Sequence, residues 1–388
     1  MAEGEDELYF GREQTLVKHF ILRRYLGRFA HIVAKGFNSI TYVDCFAGPW
    51  QPRSNELTDT SFSIAIEELK KAQQTWQEIN GRRVAIRCFF IEKDPAAYAR
   101  LKAFCEKQSG IEIETFNGEL ESAVTSIVGF VRTAKGSNMP FVFVDPTGWR
   151  GFGMKAITPL LQLSPGEVLI NFMTSHIRRF IETEPSADSF KDLFGVPDVP
   201  SKIEGLSGDD RDDALVKLYS DNVSRTGKFT TLPAIVLEPT ENRTHFHLIY
   251  CTRNQRGIEV FKDTEKSAMA KMEEARANAY QRKREDGGQR FLFVGEEMHN
   301  PAHYDALRER YMLKARKSVE SMLSAQQTVL YDDAWLEAMR FPLTWETDLK
   351  GWISEWRKAG KLTIKGIKKN ERVPKRGTGI ALCWLTRG

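Results

Sequence analysis

The chain has 388 residues, of which 41% are hydrophobic and 28% charged, a balance that excludes disordered and fibrous proteins. No apolar run approaches the roughly 18 to 20 residues of a membrane-spanning helix, and the acidic N-terminus does not resemble a signal peptide. Five scattered cysteines without a C-x-x-C pair argue against a disulfide framework and a zinc cluster. We therefore predict a cytoplasmic protein with no metal and no membrane partner.

The formal net charge of +4 is unevenly distributed. The segment Glu355–Gly388 contains ten Lys or Arg residues and two acids, so the preceding part of the chain is net acidic. A basic terminal segment favours contact with a polyanion, most often a nucleic acid. A solvated basic tail would have the same composition, and charge alone does not separate the two.

Short runs rich in β-branched and aromatic residues alternate with helical patterns through the first 175 residues. This order predicts an α/β fold with a parallel sheet covered on both faces, whose ligands bind at the carboxyl ends of the strands. The predicted strands are Ser39–Asp44, Ile86–Glu92, Ile111–Phe116, Pro140–Asp145 and Glu167–Met173. The predicted helices are Ser61–Trp76, Pro95–Lys107, Glu119–Ala134 and Lys155–Leu163.

The polar stretch 182–231 is typical of an insertion or lid. A further strand is predicted over His245–Thr252, followed by two long helices over Asp263–Asp286 and Tyr304–Ala325. Arg178, after the fifth strand, is a candidate for gripping a phosphate, although such arginines are usually solvated.

The C-terminal residues predict a winged helix-turn-helix domain. Three helices are expected over Leu330–Met339, Thr344–Lys350 with Thr344 as N-cap, and Gly351–Ala359. A two-stranded basic hairpin follows, and its wing spans Lys365–Gly379. Nucleic-acid contact and protein packing are both open for such a module. The candidate nucleic-acid-binding residues of the hairpin are Lys365, Lys368, Lys369, Arg372, Lys375 and Arg376.

Four of the predicted strands end in polar residues that suit a nucleotide. Asp44 precedes the turn Phe46-Ala47-Gly48, where small residues let the backbone approach a ligand. Glu92 can receive both hydroxyls of a ribose, Asn117 can reach an adenine edge, and Asp145 ends the fourth strand. Without a G-x-G-x-x-G loop, the pattern favours S-adenosylmethionine (SAM) over a dinucleotide. Individually, these residues also fit ordinary helix caps, a turn and a surface acid.

The chain resembles the three-Cys-motif partner family over most of residues 15 to 265. The resemblance implies a Rossmann-like class I SAM-methyltransferase fold, a winged helix after it, and a radical-SAM-like partner protein. Domains are accordingly expected at 1–265 (methyltransferase), 266–325 (helical connector) and 326–388 (winged helix). The motifs that carry the resemblance are Val17–Leu22 with Tyr25-Leu26, Tyr42–Pro49, Ser61–Ile66, Phe89–Asp94, Phe141–Gly151, Leu169–Met173 with Arg178, and Ile249–Lys262.

A more distant similarity connects the chain to ribosomal-RNA adenine-N6 methyltransferases. It implies that Lys18 and His19 line the cofactor site, that Glu92 holds the ribose and that Asp145 faces the amino group. Asp145 and the Pro146 carbonyl would then accept the two amine protons, which frees the nitrogen lone pair for attack on the methyl group. Catalysis of this kind depends mainly on positioning.

Two positions depart from that pattern. The sequence after Asp145 lacks a second proline and places its aromatic residue, Trp149, one position late. Trp149 either stacks on a flipped base or belongs to the core. Trp50 stands where many SAM loops have a glycine, and its ring either narrows the pocket or turns outward.

These observations favour a SAM-dependent methyltransferase acting on a base nitrogen of DNA or RNA. One alternative is an inactive methyltransferase-like scaffold that works with the radical-SAM-like partner. Another is a methyltransferase of a protein or small molecule that uses its winged helix for dimerisation. A metal site made of His176, His245 and His247 is disfavoured, because no suitable Asp/Glu–His spacing accompanies them.

Overall fold

The computed structural model describes residues 6–48, 52–181, 187–286, 300–367, 371 and 373–385. The chain divides into two compact units, residues 1–231 with 235–299, and residues 232–234 with 300–388. Among the described residues, no helix is long and apolar enough to cross a membrane.

The first unit is built on a sheet whose described strands follow the order β3-β2-β1-β4-β5-β7-β6. The first five strands are parallel, and β7 runs antiparallel to β5. This is a doubly wound, Rossmann-like sheet, and its strand order reverses between β1 and β4. The strands are β1 (Ser39–Asp44), β2 (Ala85–Glu92), β3 (Glu112–Asn117), β4 (Asn138–Val144), β5 (Glu167–Phe172), β6 (Thr230–Leu237) and β7 (Thr244–Thr252).

Helices cover both faces of this sheet. On one face, α1 packs against α2 and α9, and on the other α4, α5, α7 and α8 enclose an apolar cluster with β1, β4 and β5. The helices are α1 (Glu13–Ala34), α2 (Ser61–Asn80), α3 (Pro95–Glu106), α4 (Leu120–Arg132), α5 (Met154–Leu161), α6 (Thr174–Phe180), α7 (Ala187–Phe194), α8 (Gly208–Gly227) and α9 (Gln255–Asp286). The predicted alternation of strands and helices is therefore confirmed, and β6 is the strand that the sequence pattern missed.

Helix α9 begins eight residues before its predicted start at Asp263. Residues Asn254–Gly257 have the composition of a turn, but Gly257 lies inside the helix. A Cβ atom at Gly257 would stand 2.4 Å from the Tyr250 hydroxyl, so the glycine is needed for close packing on β7 rather than for a turn.

The second unit contains α10 (Ala302–Gln326), β8 (Thr328–Leu330), α11 (Tyr331–Met339), α12 (Glu346–Lys358), β9 (Leu362–Lys365) and β10 (Ala381–Trp384). Its three described strands are antiparallel in the order β8-β10-β9. The predicted hairpin is thus present between β9 and β10.

The prediction of two short helices over Thr344–Ala359 is wrong, because one helix, α12, crosses Gly351 without a break. Its buried stripe, Leu349, Trp352, Ile353 and Trp356, offsets the roughly 1 kcal/mol that an interior glycine costs. The N-cap is Trp345 rather than Thr344, and the Asp348 carboxylate accepts the Trp345 backbone N–H at 2.7 Å.

Candidate functional site

The carboxyl ends of the parallel strands bring five polar residues to one edge of the sheet. Because β1 pairs with both β2 and β4, the strand order reverses at β1, and ligands of open α/β sheets bind outside such a switch point. The residues at this edge are Asp44 on β1, Glu92 on β2, Asn117 on β3, Asp145 after β4 and Asn171 on β5.

The loop after β1 lies directly against the end of β2. The Ala47 backbone N–H donates to the Ile91 carbonyl at 2.7 Å. A Cβ atom at Gly48 would stand 1.8 Å from Glu92 Oε2, so the carboxylate occupies the space that any other side chain would fill. Glu92 Oε1 accepts the backbone N–H of Asp94 at 2.6 Å. The loop backbone and the Glu92 carboxylate are therefore in direct contact at the end of β2.

Asn117 is tied to the same strand end. Its Nδ2 donates to the Glu92 carbonyl at 2.8 Å, and the Gly118 backbone N–H donates to that carbonyl at 3.1 Å. The Asn117 side chain is exposed. The predicted residues Gly48, Glu92 and Asn117 are therefore brought together.

Asp44 is fully buried. Its carboxylate accepts from the Ser61 hydroxyl at 2.6 Å, the Phe46 backbone N–H at 3.2 Å and the Tyr42 hydroxyl at 3.3 Å. Burial raises the pKa of Asp44 to about 7, although the donors partly oppose the shift. These contacts join Asp44 to the loop and to the start of α2, and its predicted role in cofactor binding stays a prediction.

Asp145 is clamped from two sides. Lys18 Nζ donates to Oδ2 at 2.5 Å, and Asn171 Nδ2 donates to Oδ1 at 2.6 Å. The Lys18 and Asp145 side chains are each 13% exposed, so the ion pair is mostly removed from water. Pro146 is buried beside them. An ionised carboxylate accepts up to about four hydrogen bonds, so Asp145 retains capacity for a ligand.

His19 does not share the position of Lys18, because consecutive helical side chains point about 100° apart. Its Nδ1 lies 2.9 Å from the Tyr9 hydroxyl. Burial, with the cations Lys18, Arg12 and Arg23, holds the pKa of His19 well below its ordinary value. The imidazole is therefore neutral at pH 7.

Two aromatic residues predicted for the site pack against the apolar cluster of the first unit. The Trp149 indole lies 4.6 Å from the Phe180 ring and 5.6 Å from the Phe190 ring, measured between centroids. Phe46 is half-buried, and its ring approaches Gly151 in the loop after β4. Trp149 is half-buried, so one part of its ring packs on the core and base stacking stays a prediction.

Several predicted phosphate-binding residues have partners within the protein. Arg178 donates to the buried Asp212 carboxylate at 2.6 Å. In the second unit, Lys375 donates to Glu371 at 2.8 Å and the Arg376 guanidinium lies 4.1 Å from the centre of the Trp335 ring. Lys365 is exposed on β9. Trp50, Lys368, Lys369 and Arg372 lie outside the described residues.

The described histidines do not form a metal centre. His245 Nδ1 lies 2.7 Å from Glu238 Oε1, and His247 Nδ1 lies 2.7 Å from the Thr174 hydroxyl. Within the described ranges, no group of three or more His, Cys, Asp or Glu side chains is arranged to hold a metal ion.

Sequence reasoning missed Asn171 and Ser61 at this site. Asn171 is the fifth residue of the buried strand β5 (EVLINF). Because a buried amide needs a hydrogen-bond partner, an asparagine at this position indicates that another polar group lies beside it. Ser61 carried no comparable signal, because its contact with Asp44 depends on where the loop returns.

No family model and no curated protein sequence matches the chain. Among solved structures, a Legionella pneumophila protein of the DUF519 family is 11% identical, covers 67% of this chain and 92% of its own, and has a TM-score of 0.38. A Thermobifida fusca protein described as a candidate methyltransferase is 12% identical over 60% of this chain and 81% of its own, with a TM-score of 0.29. Loganic acid methyltransferase with S-adenosylhomocysteine is 8% identical over 66% of this chain and 99% of its own, and its TM-score is also 0.29. These likenesses are too distant to assign an activity to this chain.

Proposed function

We propose that the chain is a SAM-dependent methyltransferase that modifies a base nitrogen of a nucleic acid. The observation that carries this proposal is the contact between Gly48 and Glu92, which places a carboxylate and a side-chain-free loop together at the switch point of a Rossmann-like sheet. The adenosine part of SAM fits these residues, because the acid can accept two ribose hydroxyls and the glycine leaves the backbone accessible.

On this proposal, each residue near the first loop has a defined task. Glu92 holds the ribose, Asn117 lies beside the adenine, and the backbone of Phe46–Gly48 lines the methionine side. Asp44 keeps the loop in place through its contacts with Ser61 and the Phe46 N–H. When bound, SAM supplies a methyl group on a sulfonium.

The acceptor side is formed by Asp145 and Pro146. Asp145 accepts one proton of the substrate amine and the Pro146 carbonyl accepts the other, so that the nitrogen lone pair is directed away from the ring and toward the methyl group. The nitrogen would form a bond to the methyl carbon as the bond from that carbon to the sulfonium sulfur breaks and S-adenosylhomocysteine leaves, and one amine proton would then pass through Asp145 to solvent. Much of the rate enhancement comes from this alignment.

The C-terminal unit is proposed to be a winged helix that binds the nucleic acid. Its order of a strand, two helices and an antiparallel hairpin supports this assignment. The hairpin presents Lys365 and Lys375 at the surface, and the basic residues Lys368, Lys369, Arg372 and Arg376 belong to the same segment. Such a module contributes phosphate affinity without reading sequence. DNA and RNA are both substrates consistent with this chemistry.

Calorimetric titration with SAM and S-adenosylhomocysteine tests the cofactor site. We expect binding to the wild-type protein and at least about a tenfold weaker affinity for Glu92→Ala, since two hydrogen bonds to a charged acceptor are lost. Methyl transfer from labelled SAM to DNA and to RNA then tests the reaction. Asp145→Ala should bind SAM normally and transfer nothing, and retained transfer would remove Asp145 from its role.

One observation favours a second function, an inactive scaffold that works with a radical-SAM-like three-Cys-motif partner. The Lys18–Asp145 ion pair engages the carboxylate that the reaction requires. The scaffold is supported if the wild-type protein binds neither SAM nor S-adenosylhomocysteine, with nucleic acid present, and instead forms a stable complex with such a partner.

A further inference from the structure

Asn171 lies next to Asp145 in the sheet. Strands β4 and β5 pair in register at Val144 and Ile170, so the following residues are neighbours. The Asn171 side chain is buried, and its Nδ2 donates to Asp145 Oδ1 at 2.6 Å. The same nitrogen is 3.3 Å from the sulfur of Met173.

The other end of this amide is unpaired. Asn171 Oδ1 is buried and has no hydrogen-bond partner among the described residues. An unsatisfied buried carbonyl costs about 1 to 3 kcal/mol, whereas a hydrogen bond to a charged group contributes about 1.5 to 3 kcal/mol. The two effects nearly cancel, so Asn171 adds little to the stability of the fold. The opposite amide orientation would direct oxygen at the carboxylate 2.6 Å away, so Asp145 fixes the orientation that is observed.

We propose that Asn171 is a positioning residue for Asp145: its amide holds Oδ1 while Lys18 holds Oδ2, and the carboxylate is thereby kept in one orientation toward the substrate amine. This inference rests on the proposed function, in which Asp145 accepts an amine proton. Two donors on different oxygens oppose rotation of the carboxylate more strongly than either one does. The remaining lone pairs are then presented to the substrate in a fixed direction.

Two substitutions of similar volume separate positioning from stability. Asn171→Leu removes the donor together with the unpaired oxygen, so we expect a free energy of unfolding within about 1 kcal/mol of the wild type. The same variant should lower kcat for methyl transfer on the order of 10- to 100-fold with little change in SAM affinity. Asn171→Asp places a second carboxylate against Asp145, and we expect the acid limb of the pH–rate profile to move upward by about one pH unit or more.

Asn138, at the other end of β4, provides a matched control. Its Nδ2 donates to the Val131 carbonyl, and its Oδ1 accepts from the Ser39 and Thr41 hydroxyls. Because both ends of this amide are paired, Asn138→Ala should lower the free energy of unfolding by about 1 to 3 kcal/mol and leave kcat of the folded protein unchanged. The positioning role is wrong if Asn171→Leu shows this same pattern.

A readout without catalysis distinguishes this inference from the proposed function. The carboxyl carbons of aspartate are labelled with carbon-13, and the Asp145 signal is assigned from its loss in Asp145→Asn. We expect Asp145 to take up a proton at higher pH in both Asn171 variants than in the wild type. If these changes in protonation occur but the wild-type protein transfers no methyl group, the proposed reaction is wrong, while the effect of Asn171 on the Asp145 carboxylate is supported. If Asp145 titrates alike in all three proteins, the inference is overturned.

Discussion

Lys18, near the start of α1, and Asp145, at the end of β4, form an ion pair of 2.5 Å across 127 residues of sequence. Each side chain is only 13% exposed, so removal of one partner leaves a poorly solvated charge. We expect Lys18→Met to lower the free energy of unfolding by about 1 to 3 kcal/mol, and the double variant with Asp145→Asn to recover much of that loss.

Denaturant unfolding of the two single variants and the double variant measures this coupling. Lys217 provides the control, because its ion pair with Asp221 on α8 is exposed. Lys217→Met should change the free energy of unfolding by less than about 1 kcal/mol. A coupling between Lys18 and Asp145 as small as that would contradict the prediction.

Gly48→Ala is predicted to disrupt the cofactor site. Its Cβ would stand 1.8 Å from Glu92 Oε2, so either the carboxylate or the loop must move. We expect calorimetry to show a SAM affinity lowered at least about tenfold, which corresponds to about 1.4 kcal/mol. The control is Gly129→Ala on the exposed side of α4, where no atom lies within 4 Å of the new methyl group. That variant should gain about 0.5 to 1 kcal/mol of stability and bind SAM normally.

Asp44 is predicted to make stability depend on pH. Its folded-state pKa, about 7, lies above the ordinary value of 3.8, so the folded state retains a proton that the unfolded state releases. The contribution of Asp44 to stability is therefore full below pH 4 and decreases as the pH rises toward 7, by up to about 4 kcal/mol. Relative to the wild type, Asp44→Asn should gain stability across this range. Urea unfolding of both proteins at several pH values tests this prediction. A difference in the free energy of unfolding that does not change with pH would contradict it.

His247 has the opposite dependence. Burial lowers the pKa of His247 to about 4. Between pH 6.5 and pH 4 the unfolded state therefore binds a proton that the folded state does not bind. Stability should therefore decrease as the pH falls from about 6.5 to 4, by about 3 kcal/mol for this residue. His247→Asn removes the titrating group. As the pH falls over the same range, the free energy of unfolding of the variant should therefore rise relative to that of the wild type. Unfolding curves of both proteins at pH 7 and pH 4.5 provide the test.

Charge reversal in the C-terminal hairpin tests the nucleic-acid proposal. Lys365→Glu with Lys375→Glu should weaken binding and reduce the slope of log affinity against log salt by about one per lost phosphate contact. Lys107→Glu with Lys135→Glu makes the same charge change at exposed positions of the first unit and should bind nearly as the wild type does. Equal effects of the two double variants would show a response to net charge alone.

Local sequence patterns predicted the alternation of strands and helices in the first unit and the polar residues at the strand ends. These follow from local patterns, because β1 (SITYVD) is a short run rich in β-branched and aromatic residues, and such runs indicate buried strands. The basic hairpin between β9 and β10 was equally visible, since its charges and glycines are contiguous. The sequence also placed Gly48 and Glu92 in one hypothesis through the geometry of parallel sheets.

The partners of these residues could not be predicted from local patterns and were found only in the folded structure. The contacts of Asp145 with Lys18 and Asn171 join α1, β4 and β5, and no local pattern encodes a distance between separate elements. The burial of Asp44 likewise depends on where α2 returns to the sheet. The packing of Trp149 against Phe180 was likewise not encoded in any local pattern. Periodicity predicts which residues face inward, whereas long-range packing sets what they meet there.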